Sequence, residues 1–375
     1  MKKLVEESLA YAIGQYEKMI ESMKAYRVRF PRSWENGRLR TAGSWWWTAG
    51  FYPASLWLLY EYSGEAFFRK EARRRSNLMK IQRWNRFTHD LGFMLFLPLG
   101  AAYRIEGDPG DSLVLLGGAK TLVSRYKPEV GLIRSWDHGK WKYPVIIDNM
   151  MNLNYLFWAS EFSGNEFFRT VATSHADHTI KNHFRSDGST YHVVDYDPRT
   201  GEVRSQGTCQ GYSDDSVWSR GQGWAVYGFT EMYRHTKNRT YLRQACTAAD
   251  FIVHHPDFPA DGIPYWDFND PGIPEAYRDV SAATILASGL LELKDYVGEI
   301  EAETYLSVVD RILKSLSGTE YKSPKKETGS FILGGSVGNL PSKDEVDVPL
   351  SYADYYYIEA LLRRLKLAEK TEKEQ

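Results

Sequence analysis

The sequence has few cysteines, almost no net charge and no long hydrophobic run. Its two cysteines, Cys209 and Cys246, exclude a disulfide scaffold in a chain of 375 residues and lack zinc-type spacing. The formal net charge is −1 and both signs are mixed along the chain, which argues against nucleic acid or an anionic membrane as a partner. Acidic residues such as Glu6 and Glu7 interrupt the N-terminal segment. We therefore expect no signal peptide, no membrane-spanning segment and a cytoplasmic protein.

Aromatic residues are abundant instead. The chain has 12 Trp and 25 Tyr, and aromatic residues make up 14% of it. Exposed aromatic rings stack on the apolar faces of sugars, so this excess favours a carbohydrate ligand, although most of the rings will fill the core. Neither a phosphate-binding loop nor a dinucleotide fingerprint is present, and we expect no cofactor and no metal.

A unit of one apolar helix, one short polar turn and one charged helix recurs along the chain. Residues 60–69 match residues 160–169, with Ser-Gly in the turn of both copies, and residues 233–243 are a looser copy. Such a repeat predicts a series of helical hairpins.

Counting these units predicts the fold. Six apolar helices begin near Thr48, Asp90, Asp148, Gln222, Ser281 and Ser351. Six more polar helices begin near Val5, Glu65, Asp111, Asn165, Arg239 and Ala302. Apolar helices inside and amphipathic helices outside, in strict alternation, predict an all-α protein with an (α/α)6 toroid that occupies residues 1–375 as one domain. An open solenoid is the competing arrangement.

The long connections lead from each polar helix to the next apolar helix, so they collect at the N-terminal ends of the apolar helices. One of them is expected to form a small β-hairpin at the mouth, from residues 190–196 and 202–204. Function tends to sit on such loops, and helix N-termini suit an anionic substrate.

Two carboxylates, Asp90 and Asp148, begin the second and third apolar helices. These helices are neighbours in a six-membered ring, so both side chains can face one mouth. Two carboxylates in an aromatic cavity repel each other, which raises the pKa of one and lets it act as a general acid. The alternative is that both are helix N-caps. The adjacent polar side chains of His89 and Asn149 favour a functional role.

A second cluster begins the fourth apolar helix. Arg220 lies between Trp218 and Trp224, with glycines around it. The guanidinium could pair with a substrate carboxylate, and the two indole rings could stack on a sugar. The alternative is a glycine-rich turn with core tryptophans. His192, on the expected hairpin, could reach over the mouth.

These residues resemble the unsaturated glucuronyl hydrolases of glycoside hydrolase family 88. The resemblance extends over nearly the whole chain and rests on residues 47–53, 89–93, 148–152, 185–189, 210–212, 218–225 and 354–356. The Arg-Gly-Gln-Gly-Trp and Asp-Asn-Met-Met runs are the most specific of these. The family fold is the (α/α)6 toroid, which agrees with the helix count.

The resemblance implies a substrate and a mechanism. Substrates of the family end in a 4,5-unsaturated uronic acid that a polysaccharide lyase leaves behind. By analogy, Asp148 protonates C4 and then activates the water that adds at C5, while Asp90 binds the sugar and supports the developing charge. The resemblance implies no metal or organic cofactor. The substrate-binding residues that we expect are Trp136, His192, Gln210, Trp218, Arg220, Trp224, His89, Asn149 and Trp47.

Some points stay open at this stage. Which of Trp45, Trp46 and Trp47 lines the site is undecided, and so is a sulfate contact from Lys343 and its neighbouring serines. A family 105 unsaturated rhamnogalacturonyl hydrolase has the same fold and similar chemistry, and a non-catalytic carbohydrate-binding helical-repeat protein is the alternative from another class. We expect a monomer or a weak homodimer.

Overall fold

The computed structural model describes residues 1–323 and 325–374, and within them twelve α-helices alternate between an outer and an inner layer. The outer helices cover the ring with one face, and most of them are amphipathic or largely polar, although the third, Pro109–Val123, is more apolar than the sequence prediction of a polar helix. They are α1 (Lys2–Ser22), α3 (Ala66–Met79), α5 (Pro109–Val123), α7 (Phe167–His183), α9 (Arg239–Val253) and α11 (Glu299–Ser317).

The inner helices form a closed ring. They are α2 (Phe51–Ser63), α4 (Ala101–Glu106), α6 (Leu153–Ser163), α8 (Ser219–Thr236), α10 (Val280–Leu293) and α12 (Ser351–Glu374). A π-helical segment, Gly92–Gly100, leads into α4, and a 3-10 segment, Ile147–Asn152, leads into α6. Each inner element contacts the next around the ring, and α12 packs against α2. The ring therefore closes, which confirms the (α/α)6 toroid and excludes the open solenoid.

The second inner element differs from the regular helix expected there. Gly92–Gly100 has π-helical hydrogen bonding and contains Pro98. Proline has no N–H group and its ring clashes with the carbonyl four residues earlier, and a wider turn accommodates both effects.

Glycine allows both the turns of the hairpins and the close packing of the ring. Gly64 and Gly164, the glycines of the repeated Ser-Gly turns, end α2 and α6 in the left-handed region with φ of 73° and 68°. Inside the ring, a Cβ on Gly50 would lie 2.0 Å from the carbonyl oxygen of Phe93. The inner elements can approach this closely only because that side chain is missing.

Four small antiparallel sheets lie in the loops between helices. The expected hairpin is present as β6 (Val193–Tyr196) and β7 (Val203–Gly207), and β5 (Pro144–Ile146) adds a third strand to it. The other pairs are β1 (Phe30–Glu35) with β2 (Arg38–Ala42), β3 (Tyr126–Lys127) with β4 (Leu132–Ile133), and β8 (Ser336–Asn339) with β9 (Asp344–Val348).

The pair of β1 and β2 is a second hairpin, which the sequence reading as helices and long connections did not predict. A two-residue turn, Asn36-Gly37, joins the strands, and both residues have positive φ, 50° and 71°. Asn-Gly between two extended segments is a strong hairpin signal that the helical count had overlooked. None of the helices in the described residues is long and apolar enough to span a lipid bilayer.

Candidate active site

A cavity of about 580 Å³ opens where the inner elements begin. It lies on the side of the ring where the long loops meet, as the connection lengths predicted. Its lining residues are Trp45, Trp46, Trp47, Asn85, Phe87, Thr88, His89, Asp90, Ser135, Trp136, His138, Ile146, Asp148 and Gln210.

Asp148 lies in this lining and is only 8% exposed. The short strand β5 ends at Ile146, and the 3-10 turn that follows places the carboxyl group in the cavity. Its side chain caps no helix, and its Oδ2 atom has no hydrogen-bond partner among the described residues. The pKa of Asp148 is raised to about 7. Burial is the main cause, Arg220 and Trp224 act in the opposite direction, and the charge of Asp90 adds to the rise. A proton is therefore available on Asp148 near neutral pH.

Asp90 shares the cavity with Asp148 and has a polar environment of its own. The Thr88 hydroxyl donates a hydrogen bond of 2.7 Å to Asp90 Oδ2, and His89 Nε2 lies 3.3 Å from Asp90 Oδ1. Burial lowers the pKa of His89. The side chain of Asp90 is thus engaged by its own neighbours and is not a helix cap.

His192 lies behind Asp148 in a defined orientation. Its Nδ1 atom lies 3.3 Å from the backbone N–H groups of both Cys209 and Gln210, which donate to it. Nδ1 is therefore an acceptor, and the ring proton belongs on Nε2, which lies 3.8 Å from Asp148 Oδ2. Burial lowers the pKa of His192 to about 3, so the ring is neutral.

The same histidine links two other predicted residues. The ring of His192 packs against Trp218 with centroids 4.4 Å apart. Gln210, held through its backbone by His192, lines the cavity, and its side-chain amide donates a 3.1 Å hydrogen bond to the carbonyl of Gly338 in β8.

Tryptophans form much of the cavity wall. The sequence left open which of Trp45, Trp46 and Trp47 lines the site, and in the structure all three line it. Trp136 lines it as well. The guanidinium of Arg32 lies 3.9 Å from the ring centroid of Trp46 and supports that ring from outside the lining.

Five of the predicted site residues lie outside the lining. His192, Trp218 and Trp224 lie behind it, and the ring of His192 packs against Trp218. Asn149 is fully buried and donates to the carbonyl of Ile133 at 3.2 Å. These four residues support the cavity wall in this structure.

Arg220, the fifth, is 1% exposed, and its contacts are with the protein. It donates to Asp279 at 2.8 Å and to the carbonyls of Val337 and Gly338, and it stacks over Trp218 with its centre 4.4 Å from the ring centroid. Only its Nε atom is without a hydrogen-bond partner among the described residues. These contacts place Arg220 behind the cavity wall, and its contact with a substrate carboxylate stays a prediction from the sequence.

Several residues that line the cavity were not predicted from the sequence. Asn85, Phe87 and Thr88 belong to the connection before the second inner element, which was too short to count among the long loops. Their position just before His89 and Asp90 could have indicated them. Within the described residues, no group of three or more His, Cys, Asp or Glu side chains is placed to hold a metal ion.

Comparisons with known proteins agree with this geometry. An unsaturated glucuronyl hydrolase from Formosa agariphila is 44% identical over 326 residues, which cover 86% of this chain and 80% of the relative. An unsaturated chondroitin disaccharide hydrolase from Streptococcus pneumoniae is 35% identical, with 85% and 82% covered. The crystal structure of an unsaturated glucuronyl hydrolase specific for heparin superposes with a TM-score of 0.94 at 41% identity, and the match covers 98% of this chain and 99% of that chain.

A family model extends the match to nearly the whole toroid. The model described as Glycosyl Hydrolase Family 88 matches residues 19–361, which include both cavity carboxylates, the first five inner helices and the beginning of α12. Relatives and solved structures of the same family cover most of the chain at more than 30% identity. The chain belongs to glycoside hydrolase family 88 and is a glycosidase.

Proposed function

We propose that this chain removes the 4,5-unsaturated glucuronic acid from the non-reducing end of lyase-generated oligosaccharides by hydrating its double bond. The observation that carries the proposal is Asp148, a buried carboxyl with a pKa near 7 in a tryptophan-lined cavity. A group that holds its proton near neutral pH and can release it is suited to act first as an acid and then as a base.

The reaction uses Asp148 twice. Its proton goes to C4, the double-bond electrons form the new C4–H bond, and positive charge develops at C5 and the ring oxygen. The Asp148 carboxylate then takes a proton from water as the water oxygen bonds to C5, which restores the acid. The resulting hemiketal opens: the bond from C5 to the ring oxygen breaks, C5 becomes a ketone, and the proton of the C5 hydroxyl passes to the ring oxygen. C1 is then a hemiacetal, which becomes an aldehyde as its bond to the glycosidic oxygen breaks, and its hydroxyl proton leaves on the remaining sugar. No bond between enzyme and sugar is formed.

Asp90 is proposed to bind the sugar and to stabilise the positive charge that develops at C5. Its carboxylate faces the same cavity and is fixed by Thr88, so it needs no reorganisation during the reaction. It also raises the pKa of Asp148 and thus keeps the acid protonated. Asp90 would thus favour the protonated form of Asp148 before the reaction and stabilise the positive charge on the sugar in the transition state.

The remaining predicted residues are proposed as the sugar site. The tryptophans of the lining offer flat apolar faces for the pyranose ring, and Gln210 and His89 offer polar groups. Asn149, His192, Trp218, Arg220 and Trp224 fix this wall from behind. Among the lining residues there is no Lys or Arg, so the substrate carboxylate would rely on neutral donors.

The substrate class is proposed to be the unsaturated disaccharides and short oligosaccharides of glycosaminoglycans. Of the proteins named above, one is an unsaturated chondroitin disaccharide hydrolase and another is specific for heparin, and this chain resembles both. We further propose that residues 1–375 work as a single catalytic domain. A cytoplasmic location and a monomeric or weakly dimeric state stay predictions from the sequence.

The test is a loss of ultraviolet absorbance, because hydration destroys the conjugated double bond. Purified protein is incubated separately with lyase-generated disaccharides from chondroitin, hyaluronan, heparin and rhamnogalacturonan. We expect absorbance to fall with at least one glucuronyl substrate and to stay constant with the rhamnogalacturonan product. A loss with the latter alone, or with none of the four, would reject the proposal.

A further inference from the structure

One side of the cavity mouth is formed by residues 136–142, here called the rim segment. Hydrogen bonds fix both of its ends. The backbone N–H of Ser135 donates to the carbonyl of Pro144 at 2.8 Å, and the N–H of Lys142 donates to Asp195 Oδ1 at 2.8 Å. The segment between these two points is thereby held at the mouth of the site.

The rim segment presents an aromatic surface that continues the wall of the cavity. Trp136 and His138 line the cavity, and their rings lie 5.9 Å apart. Trp141 meets Trp136 edge to face, with ring centroids 5.4 Å apart. The ammonium group of Lys140 lies 5.2 Å from the ring centroid of Trp141. A cation therefore stands on an aromatic platform next to the lining residues.

The acidic residues near this segment are already neutralised. Asp137 is paired with Arg125 at 2.8 Å and with Arg134 at 2.9 Å. Asp195 is paired with Arg204 at 2.9 Å.

The lysines of the segment, in contrast, have no such partner. Lys140 and Lys142 are exposed, and neither makes an ion pair with any residue that the structure describes. Lys140 also acts on the buried thiol of Cys209. Burial raises the pKa of this thiol to about 12, and the positive charge of Lys140 acts in the opposite direction. The rim segment thus carries positive charge that no acidic side chain neutralises, and Lys140 is the charge nearest to the cavity lining.

The hairpin of β8 and β9 carries one exposed lysine, Lys343, which also makes no ion pair with any residue that the structure describes. Its neighbours Asp344 and Glu345 pair with Arg32, at 3.2 Å and 3.0 Å. Lys343 does not rest on an aromatic ring next to the cavity lining as Lys140 does, so it is the less suitable cation for a ligand in the cavity.

We propose that the rim segment binds the sugar next to the unsaturated uronate, and that Lys140 recognises a sulfate ester on that sugar. This inference rests on the proposed function, because it assigns the leaving sugar of that reaction. The apolar face of the sugar lies against Trp136 and Trp141, and its sulfate meets the ammonium group. Trp45 and Phe87, which also line the cavity, are 64% and 80% exposed and offer further aromatic surface to a longer chain.

The experiment compares kcat/KM for two lyase-generated disaccharides that differ only in one sulfate on the second sugar. We expect the wild-type protein to prefer the sulfated disaccharide at low salt, and added salt to reduce this preference, because the contact is exposed. In Lys140→Gln the ratio of sulfated to unsulfated kcat/KM falls about two- to fivefold, the range expected for one solvent-exposed charge pair. Lys343→Gln, the matched control on the hairpin of β8 and β9, leaves the ratio unchanged.

A binding measurement separates this inference from the proposed function. Titration of Asp148→Asn and of the double variant Asp148→Asn, Lys140→Gln with each disaccharide, followed by tryptophan fluorescence, gives dissociation constants without turnover. Weaker binding of only the sulfated sugar in the double variant supports the rim segment even if no hydrolysis is seen. An unchanged ratio in Lys140→Gln, or equal binding by both variants, would overturn it.

Discussion

The guanidinium of Arg220 lies 2.8 Å from the carboxylate of Asp279, and both side chains are almost completely buried, at 1% and 0% exposed. Asp279 also caps helix α10, because its Oδ1 atom accepts from the N–H of Ser281 at 3.0 Å. The two carbonyls that Arg220 reaches belong to β8. One buried ion pair thus joins the beginnings of two inner helices to the hairpin of β8 and β9.

Replacement of Arg220 by Ala is expected to destabilise the protein by about 3–5 kcal/mol, because the carboxylate of Asp279 is left buried without its cation. The midpoint of urea unfolding measures this loss. The double variant Arg220→Ala, Asp279→Asn should recover part of it, since the unpaired charge is gone. An Arg220→Ala protein of unchanged stability whose only defect is a raised KM would instead assign Arg220 to the substrate.

Asp148→Asn is expected to abolish turnover and to leave the fold and substrate binding largely intact. Asn has nearly the same shape as Asp, but it cannot deliver a proton to C4 or take one from water. The absorbance assay measures turnover, and fluorescence titration measures binding. Residual hydrolysis above a tenth of the wild-type rate would remove Asp148 from the acid and base roles.

The pH profile should report the proton on Asp148. Because that proton is needed in the first step, kcat/KM should fall as the pH rises through about 7. A bound substrate brings another carboxylate into a cavity whose lining has no Lys or Arg. The pKa of Asp148 then rises further, so kcat should fall at a higher pH than kcat/KM does.

Asp90→Asn provides the control for this profile. The charge of Asp90 raises the pKa of Asp148, so its removal should move the fall in kcat/KM to a lower pH. Only the shape of the profile is compared, so a lower overall rate in the variant does not affect the comparison. Coinciding limbs for kcat and kcat/KM in the wild type, together with an unmoved limb in the variant, would contradict the assignment.

Burial of Asp148 should also appear in the stability of the wild-type protein. Its folded pKa, about 7, exceeds its ordinary value of 3.8, so this stabilising contribution is complete below pH 4 and is lost as the pH rises through 7. The amide of the Asp148→Asn variant has no such proton to lose. The stability of this variant relative to wild type should therefore increase between pH 4 and pH 8, by at most about 4 kcal/mol. Urea unfolding at both pH values measures the difference, and parallel curves would contradict the raised pKa.

The sequence could predict the toroid because several inner helices, namely α2, α6 and α10, are largely apolar along their whole length. Helix α2, for example, buries Phe51, Leu56 and Trp57, which lie on different sides of the helix. A helix that is hydrophobic on most sides must be surrounded by other helices, as the inner helices of a toroid are. The two cavity carboxylates were predictable for a related reason, since each stands where an apolar segment begins. Local pattern and global fold agree at these positions.

The anchoring position of Arg220 could not be predicted, because its partners are distant in the chain. Asp279 is 59 residues away and Gly338 is 118 residues away, and a single sequence does not indicate which of many carboxylates will face a buried guanidinium. The lining contribution of Phe87 was missed because its connection is short. In contrast, the Asn-Gly turn between β1 and β2 carried a signal that was available and unused.

His192 offers the most direct test of how the wall behind Asp148 is held. Its Nδ1 atom accepts from the backbone of Cys209 and Gln210, so His192→Ala leaves the N–H of Cys209 without this acceptor and the N–H of Gln210 with Thr208 Oγ1 alone, which loosens the placement of Gln210 in the lining. We expect kcat/KM to fall at least tenfold, with a raised KM because a lining residue is displaced. His192→Gln, whose side-chain oxygen can accept from the same N–H groups, should restore part of the KM. Equal losses in both variants, confined to kcat, would show instead that the Nε2 proton beside Asp148 acts in the reaction and that the backbone contacts are incidental.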